Sequence, residues 1–159
     1  MLIGLCLATS RAEATRTGFQ GFAASYQGGY SIVIADQNTS GPATIRIRTP
    51  RNGRSAQVTW INTFYNETGA YRIALHWRFL PNGTFSANTI DPRQKHLAGT
   101  GTFAINRNHP VPFSAMDASG SVKAEGKFRL IGGGAISIAV TLTGIPGGAV
   151  TYGFTGSRR

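Results

Sequence analysis

The stretch from Tyr71 to Gly83 alternates between apolar and polar side chains. Apolar residues occupy the odd positions from Tyr71 to Phe79, whereas Arg72, His76 and Arg78 occupy even positions. Since successive side chains of a β-strand point to opposite faces of the sheet, this period of two indicates a strand with one apolar face and one basic face. The apolar face could contact a packed core, a bound ligand or lipid, and each answer implies a different protein.

The same period of two recurs along the chain, and no segment of useful length has the apolar spacing of an amphipathic helix. Asn62 interrupts the apolar face of one such run. Turn sequences such as Arg51-Asn52-Gly53 and Pro81-Asn82-Gly83 separate the runs, and they tolerate the positive φ angles of tight hairpins. The alternating runs are residues 30–36, 43–49, 56–64, 121–130, 135–143 and 149–155.

These patterns predict an all-β fold. A chain of 159 residues with 41% hydrophobic content and 21 glycines fits one domain made of short strands and tight turns. We expect a single antiparallel meander of about eight to ten strands, closed into an up-and-down barrel, with a sandwich as the alternative. Residues 90–95 and 109–112 lack alternation and are predicted to be irregular, and the repeated Gly-Thr pairs around residue 100 are interpreted as compositional.

The first fourteen residues resemble the remnant of a signal peptide. A short apolar run from Leu2 to Ala8 is followed by Ala12-Glu13-Ala14, which matches the small-x-small pattern of a cleavage site. We therefore expect residues 1–14 to be a leader and residues 15–159 to form a single barrel domain that is secreted or periplasmic. The alternative is that the segment is an ordinary buried strand.

The charge is strongly positive, with a formal net charge of +10 and a pI near 10.9. Such a surface attracts anionic polymers or an anionic envelope without reading sequence. Sequence-specific nucleic-acid binding is not expected, because most aromatic residues share the apolar faces and are not interleaved with the basic side chains. The candidate polyanion-binding residues are Arg46, Arg48, Arg72, Arg78, Lys127 and Arg129.

The aromatic residues of the apolar faces are the candidates for ligand binding. If these faces point inward, Trp60, Tyr71 and Trp77 provide large ring surfaces whose N–H and O–H groups need partners when buried. A small barrel can hold one small apolar molecule in this way, or it can fill itself with its own side chains.

An outer-membrane barrel would also alternate, with its apolar side chains facing lipid. The scattered aromatic residues, the basic ending Gly-Ser-Arg-Arg and the short connections argue against that orientation.

No residue pattern for catalysis, metal binding or a cofactor is present in the sequence. His76, His96 and His109 have no metal-ligand spacing, and the few carboxylates mostly lie near predicted turns. Nucleophile elbows, phosphate-binding loops and dinucleotide fingerprints are also absent from the sequence. We therefore expect a non-enzymatic protein that needs no cofactor.

In architecture the chain resembles the calycin superfamily of lipocalin-type and avidin-type meander barrels. The specific motif of that family is a Gly-x-Trp on the first strand, packed under an Arg from near the chain end. Its nearest match here is Gly28-Gly29-Tyr30, together with Arg158 or Arg159. The resemblance implies a meander barrel, leaves the ligand undetermined and assigns no binding residue.

Overall fold

The structure, a computed structural model, describes residues 18–90, 97–104, 111–131 and 133–159, with the backbone alone at residues 89, 90 and 97. Residues 1–14 and both His96 and His109 lie outside these ranges, as does most of the predicted 90–95 loop. The described chain forms one short 3₁₀ helix and ten strands: the 3₁₀ helix (Gly18–Phe22), β1 (Ala24–Ile34), β2 (Gln37–Arg48), β3 (Ala56–Asn66), β4 (Gly69–Phe79), β5 (Thr84–Ile90), β6 (Leu97–Phe103), β7 (Val111–Asp117), β8 (Lys123–Ile131), β9 (Ala135–Thr143) and β10 (Val150–Arg158).

The ten strands form a closed antiparallel barrel in which each strand pairs with its neighbours in sequence, and β1 closes the barrel against β10. The closing register pairs Tyr26 with Arg158 and Ile34 with Val150. The predicted all-β meander and its closure are therefore confirmed. Within the described residues, no helix is long and apolar enough to cross a membrane.

The apolar side of each alternating strand faces the barrel interior. In β4, Trp77 and Phe79 are buried, whereas Arg72, His76 and Arg78 are exposed. Rings and aliphatic side chains from all around the barrel join one buried cluster. The apolar face of the Tyr71–Gly83 stretch therefore contacts a packed core.

The 3₁₀ helix fills one end of the barrel, which we call the closed end. Phe19 and Phe22 are both 0% exposed. The Phe19 ring lies 4.9 Å from that of Phe79 and 6.0 Å from that of Phe128. Its backbone N–H donates to the Gly53 carbonyl in the β2–β3 turn, at 3.0 Å. Sequence alternation did not reveal this element, because the helix is shorter than two turns and has no measurable period.

Arg158 and Tyr26 fasten the 3₁₀ helix to the barrel wall. The Arg158 guanidinium lies 5.9 Å from the centre of the Tyr26 ring and donates an Nη2 hydrogen bond to the Gly21 carbonyl. The Tyr26 hydroxyl donates to the Phe22 carbonyl at 2.8 Å. An aromatic residue of β1 is thus packed against an arginine of β10, but the aromatic residue is Tyr26 and not the Tyr30 suggested by the sequence motif.

Two segments differ from the sequence expectation. The Gly-Thr repeat is strand β6, in which Gly99 and Gly101 take the inward positions and the threonines face outward. The glycines hide the period of two because they carry no side chain. Val111 and Pro112, predicted to be irregular, begin β7, where the Pro112 carbonyl accepts a hydrogen bond from the Ala104 N–H at 3.0 Å.

Candidate ligand-binding site and basic surface

At the barrel end opposite the 3₁₀ helix, which we call the open end, most inward side chains are partly exposed, whereas Val150 is 4% exposed. Strand alternation places these side chains on the inner face, because each is separated by an even number of positions from a buried core residue of its own strand. The partly exposed inward residues are Ile32, Phe64, Tyr71, Ile73, Leu75, Ala115, Ala124, Leu142 and Tyr152.

Three aromatic rings line one side of the open end. Tyr30 lies 4.8 Å from Phe64, and Phe64 is stacked on Tyr71 at 5.2 Å with an interplanar angle of 15°. The Tyr30 ring packs where a Cβ on Gly41 would sit, so glycine at this position of β2 leaves room for it. Burial, followed by the neighbouring hydroxyls of Tyr71 and Tyr65, raises the pKa of Tyr30.

Small residues line part of the opposite wall. Ala87, Ala115 and Ala124 face inward on β5, β7 and β8, and on β6 between them Gly99 pairs with Ala87 and Gly101 pairs with Ala115. Nearer the closed end, the Phe113 ring occupies the space beside Gly126. This wall is therefore built from smaller side chains than the aromatic layers beneath it.

The structure brings together two of the three predicted ligand-binding residues. The rings of Trp60 and Trp77 lie 5.8 Å apart, and these residues are 1% and 7% exposed. Trp77 also contacts Phe113 and Phe128 at 5.5 and 5.7 Å, within the filled layers. Tyr71 is separate from the pair, at the open end. The two tryptophans thus form a floor beneath the open end, and Tyr71 belongs to its side wall.

Asn62 is the one buried polar side chain among the described residues, with 2% exposure. Its Oδ1 accepts a hydrogen bond from the Trp60 indole Nε1–H. It faces inward between Ala43 on β2 and Ile73 on β4. The sequence signal for this residue was the break it makes in the apolar face of β3, which did not suggest a role.

The six predicted polyanion-binding residues are all exposed on the outer face, but they do not form one patch. Arg48 and Arg78 both pair with Gln57, so they lie on either side of β3, with Arg46 close by. Arg72 lies toward the open end of β4, about 20 Å from Arg78 at ~3.3 Å per residue. Lys127 and Arg129 lie on β8, four strands away from β2 around the closed barrel.

A groove of about 440 Å³ crosses the outside of β1, β2 and β3, and it contains Arg46, Arg48 and Arg159. The backbone N–H of Arg159 donates to the Ser25 carbonyl at 3.0 Å, and its Nε donates to Gln27 Oε1 at 2.7 Å. Arg159 was not among the predicted polyanion-binding residues, because strand closure is what brings the end of the chain beside β1.

The described residues form no group of three or more histidine, cysteine, aspartate or glutamate side chains that could hold a metal ion. His76 is exposed on the outer face of β4. Asp117 closes the β7–β8 turn by accepting hydrogen bonds from the Ser119 hydroxyl and the Val122 N–H. These bonds stabilise the carboxylate and lower its pKa.

Comparison with known proteins gives a fold neighbour and no family. The crystal structure of Rv2717c from M. tuberculosis matches with a TM-score of 0.60 at 10% sequence identity, and the match covers 89% of this chain and 94% of that one. At this level of identity the match shows a shared barrel fold. No protein-family model and no curated protein sequence matches the chain.

Proposed function

We propose that this protein is a non-enzymatic binding protein for a small apolar ligand, which it holds in the open end of the barrel. The observation that carries the proposal is the contrast within one interior: the rings of Phe19, Phe22, Phe79 and Phe128 at the closed end are at most 1% exposed, whereas most inward apolar side chains of the open end are partly exposed. Burying that surface under an apolar molecule gains free energy in proportion to the area removed from water.

The geometry of Tyr26 and Arg158 supports the resemblance to calycins, since an aromatic residue of the first strand packs under an arginine of the last one. The proposal extends to export, to the periplasm or the exterior, through the leader-like pattern of residues 1–14. Trp60 and Trp77 form the floor of the site and Tyr71 part of its wall.

The test is titration of the purified chain with N-phenyl-1-naphthylamine, an uncharged probe that fluoresces in apolar surroundings. We expect saturable binding with one site per chain. Replacing Ala124 by Trp places an indole inside the open end and lowers the affinity at least tenfold. The matched control is Ala139→Trp, which adds the same ring at an exposed position outside the barrel on β9 and leaves binding unchanged.

Absence of saturable binding by the wild-type chain contradicts the proposal. Equal effects of the two tryptophan substitutions contradict the location of the site. Recovery of the chain only in the presence of detergent favours the outer-membrane alternative, although the arginines on the outer face make a lipid-facing exterior costly.

A second candidate function is adhesion to an anionic polymer or envelope surface, and the groove that contains Arg46, Arg48 and Arg159 favours it. Binding to immobilised heparin should weaken steeply with salt, because phosphate or sulfate contacts release counterions. We expect Arg46→Glu combined with Arg48→Glu to lower retention more than the control pair Lys127→Glu and Arg129→Glu. Equal losses would indicate general charge attraction without a site.

A further inference from the structure

The orientation of the Asn62 amide is fixed by its neighbour. An indole N–H can only donate a hydrogen bond, so the atom that meets Trp60 Nε1 must be the carbonyl oxygen Oδ1. The amide nitrogen Nδ2 is then the atom that points away from the indole nitrogen. This side chain therefore presents two N–H donors to the barrel interior.

These donors have no acceptor in the part of the chain that the structure describes. The neighbours of Asn62 across the two adjacent strands are Ala43 and Ile73, and its inward neighbours along β3 are Trp60 and Phe64. Trp60 has no acceptor atom in its side chain, and neither do the other three. A buried polar group without a partner costs free energy, and such groups are rare in folded proteins.

The position of Asn62 matches the proposed site. It lies on β3 between Trp60, which belongs to the floor, and Phe64, which belongs to the aromatic wall. Ile73, which pairs with Asn62, Leu75, which pairs with Trp60, and Phe64, which lies nearer the open end, are all partly exposed. A molecule that enters the open end and reaches the tryptophan floor therefore passes beside Nδ2.

We propose that Asn62 is a specificity-determining residue, and that the ligand of the open end is an apolar molecule that carries a carbonyl oxygen, which accepts the hydrogen bond from Asn62 Nδ2. This inference rests on the proposed function. Trp60 positions the amide, and the amide selects the ligand. A purely hydrocarbon ligand would leave the donors buried without a partner and would bind less tightly than its carbonyl counterpart.

The experiment compares two probes of nearly the same shape. The first is 2-acetylnaphthalene, and the second is 2-isopropenylnaphthalene, in which a methylene group replaces the carbonyl oxygen. Each displaces N-phenyl-1-naphthylamine from the full-length chain. We expect the wild-type chain to prefer the ketone by about tenfold after correction for the difference in the two probes' solubility in water.

The Asn62→Asp substitution locates the preference. It keeps an acceptor for the Trp60 N–H but removes the amide donors, so the ketone preference should vanish or reverse. The near-ultraviolet circular dichroism of the variant checks that the tryptophan pair remains packed.

The outcomes separate this inference from the proposed function. If both naphthalene probes bind the wild-type chain equally well, the open end binds apolar molecules but Asn62 does not select them, as expected if a retained water occupies its donors. If the ketone preference survives in Asn62→Asp, another residue provides it and the inference is wrong. If N-phenyl-1-naphthylamine itself does not bind, the proposed function fails and the inference fails with it.

Discussion

The two ends of this barrel are built from the same ten strands but differ in how completely their interiors are filled. At the closed end, Phe19 and Phe22 enter from the 3₁₀ helix and meet Phe79 and Phe128, and all four are at most 1% exposed. At the open end, Phe64 and Tyr71 also stack ring on ring, yet both remain partly exposed. Aromatic content alone therefore does not decide whether the interior of a barrel is filled. At the closed end, the 3₁₀ helix supplies additional side chains that fill it.

The largest expected effect is on the free energy of unfolding, and it comes from removing one ring at each end of the barrel. Phe128→Ala should destabilise the protein by about 3–5 kcal/mol, because the ring is fully buried among other rings. Phe64→Ala should cost about 1–2 kcal/mol, because part of that ring already contacts water. Urea unfolding of both variants measures the difference, and equal losses would show that the two ends are packed alike.

A glycine substitution tests how tightly the wall beside the filled layers is packed. A Cβ on Gly101 would lie 1.8 Å from the Ser114 carbonyl oxygen, whereas one on Gly29 would find its nearest neighbour 3.6 Å away. We expect Gly101→Ala to destabilise the barrel by about 2–3 kcal/mol, because the obstacle is backbone that cannot move aside. Gly29→Ala, the control, should change stability by less than about 0.5 kcal/mol. A thermal shift as small for Gly101→Ala as for the control would contradict this reasoning.

The contacts that hold the 3₁₀ helix against the barrel wall can be weakened without removing Phe19 or Phe22. Arg158→Met removes the hydrogen bond to the Gly21 carbonyl and the contact with the Tyr26 ring. A loss of about 1–2 kcal/mol is expected, since a hydrogen bond to a charged group and a cation–π contact are removed together. Amide hydrogen exchange should accelerate at Phe19, which donates to Gly53 beneath this contact. Unchanged exchange at Phe19 would mean that the buried rings alone hold the helix.

The smallest expected effect is on stability at alkaline pH, and it comes from two tyrosines at the open end. Burial raises the pKa of both Tyr30 and Tyr152. A raised pKa in the folded state means that the neutral hydroxyl is favoured there, so this contribution to stability is complete below pH about 10 and is lost as the pH rises above it. Tyr30→Phe combined with Tyr152→Phe should flatten the decline of urea stability between about pH 9.5 and 11. An unchanged slope would show that neither hydroxyl contributes.

Sequence reasoning predicted those parts of the fold in which the inward side chains are large. The period of two is plain in β3, β4 and β9, and the faces of Trp77 and Arg78 were assigned correctly. In β6 the inward residues include Gly99 and Gly101, which contribute no hydrophobic signal. The 3₁₀ helix was missed for a different reason, because Phe19 and Phe22 owe their burial to the shape of the barrel and not to a local pattern.

The candidate site was predicted less completely than the fold, for a physical reason. Alternation indicates which face of a strand a residue occupies. It does not indicate which residues of the other strands lie at the same height along the barrel axis. It placed Trp60, Tyr71 and Trp77 inside, yet only strand register separates the floor from the wall. In the same way, alternation named six candidate polyanion-binding residues without their relative positions, and strand order places Lys127 far from Arg46.

The pairing of β1 with β10 has a consequence for how the chain becomes a barrel during synthesis. Nine strands can form a curved sheet as they leave the ribosome, but the two outer edges stay unpaired until β10 has emerged. The contact between Gly21 and Arg158 spans 137 residues, so fastening of the 3₁₀ helix belongs to the final step as well. Contacts of such long sequence separation are slow to form. A nascent chain therefore keeps two strand edges unpaired until its last strand emerges, and unpaired edges of this kind promote aggregation.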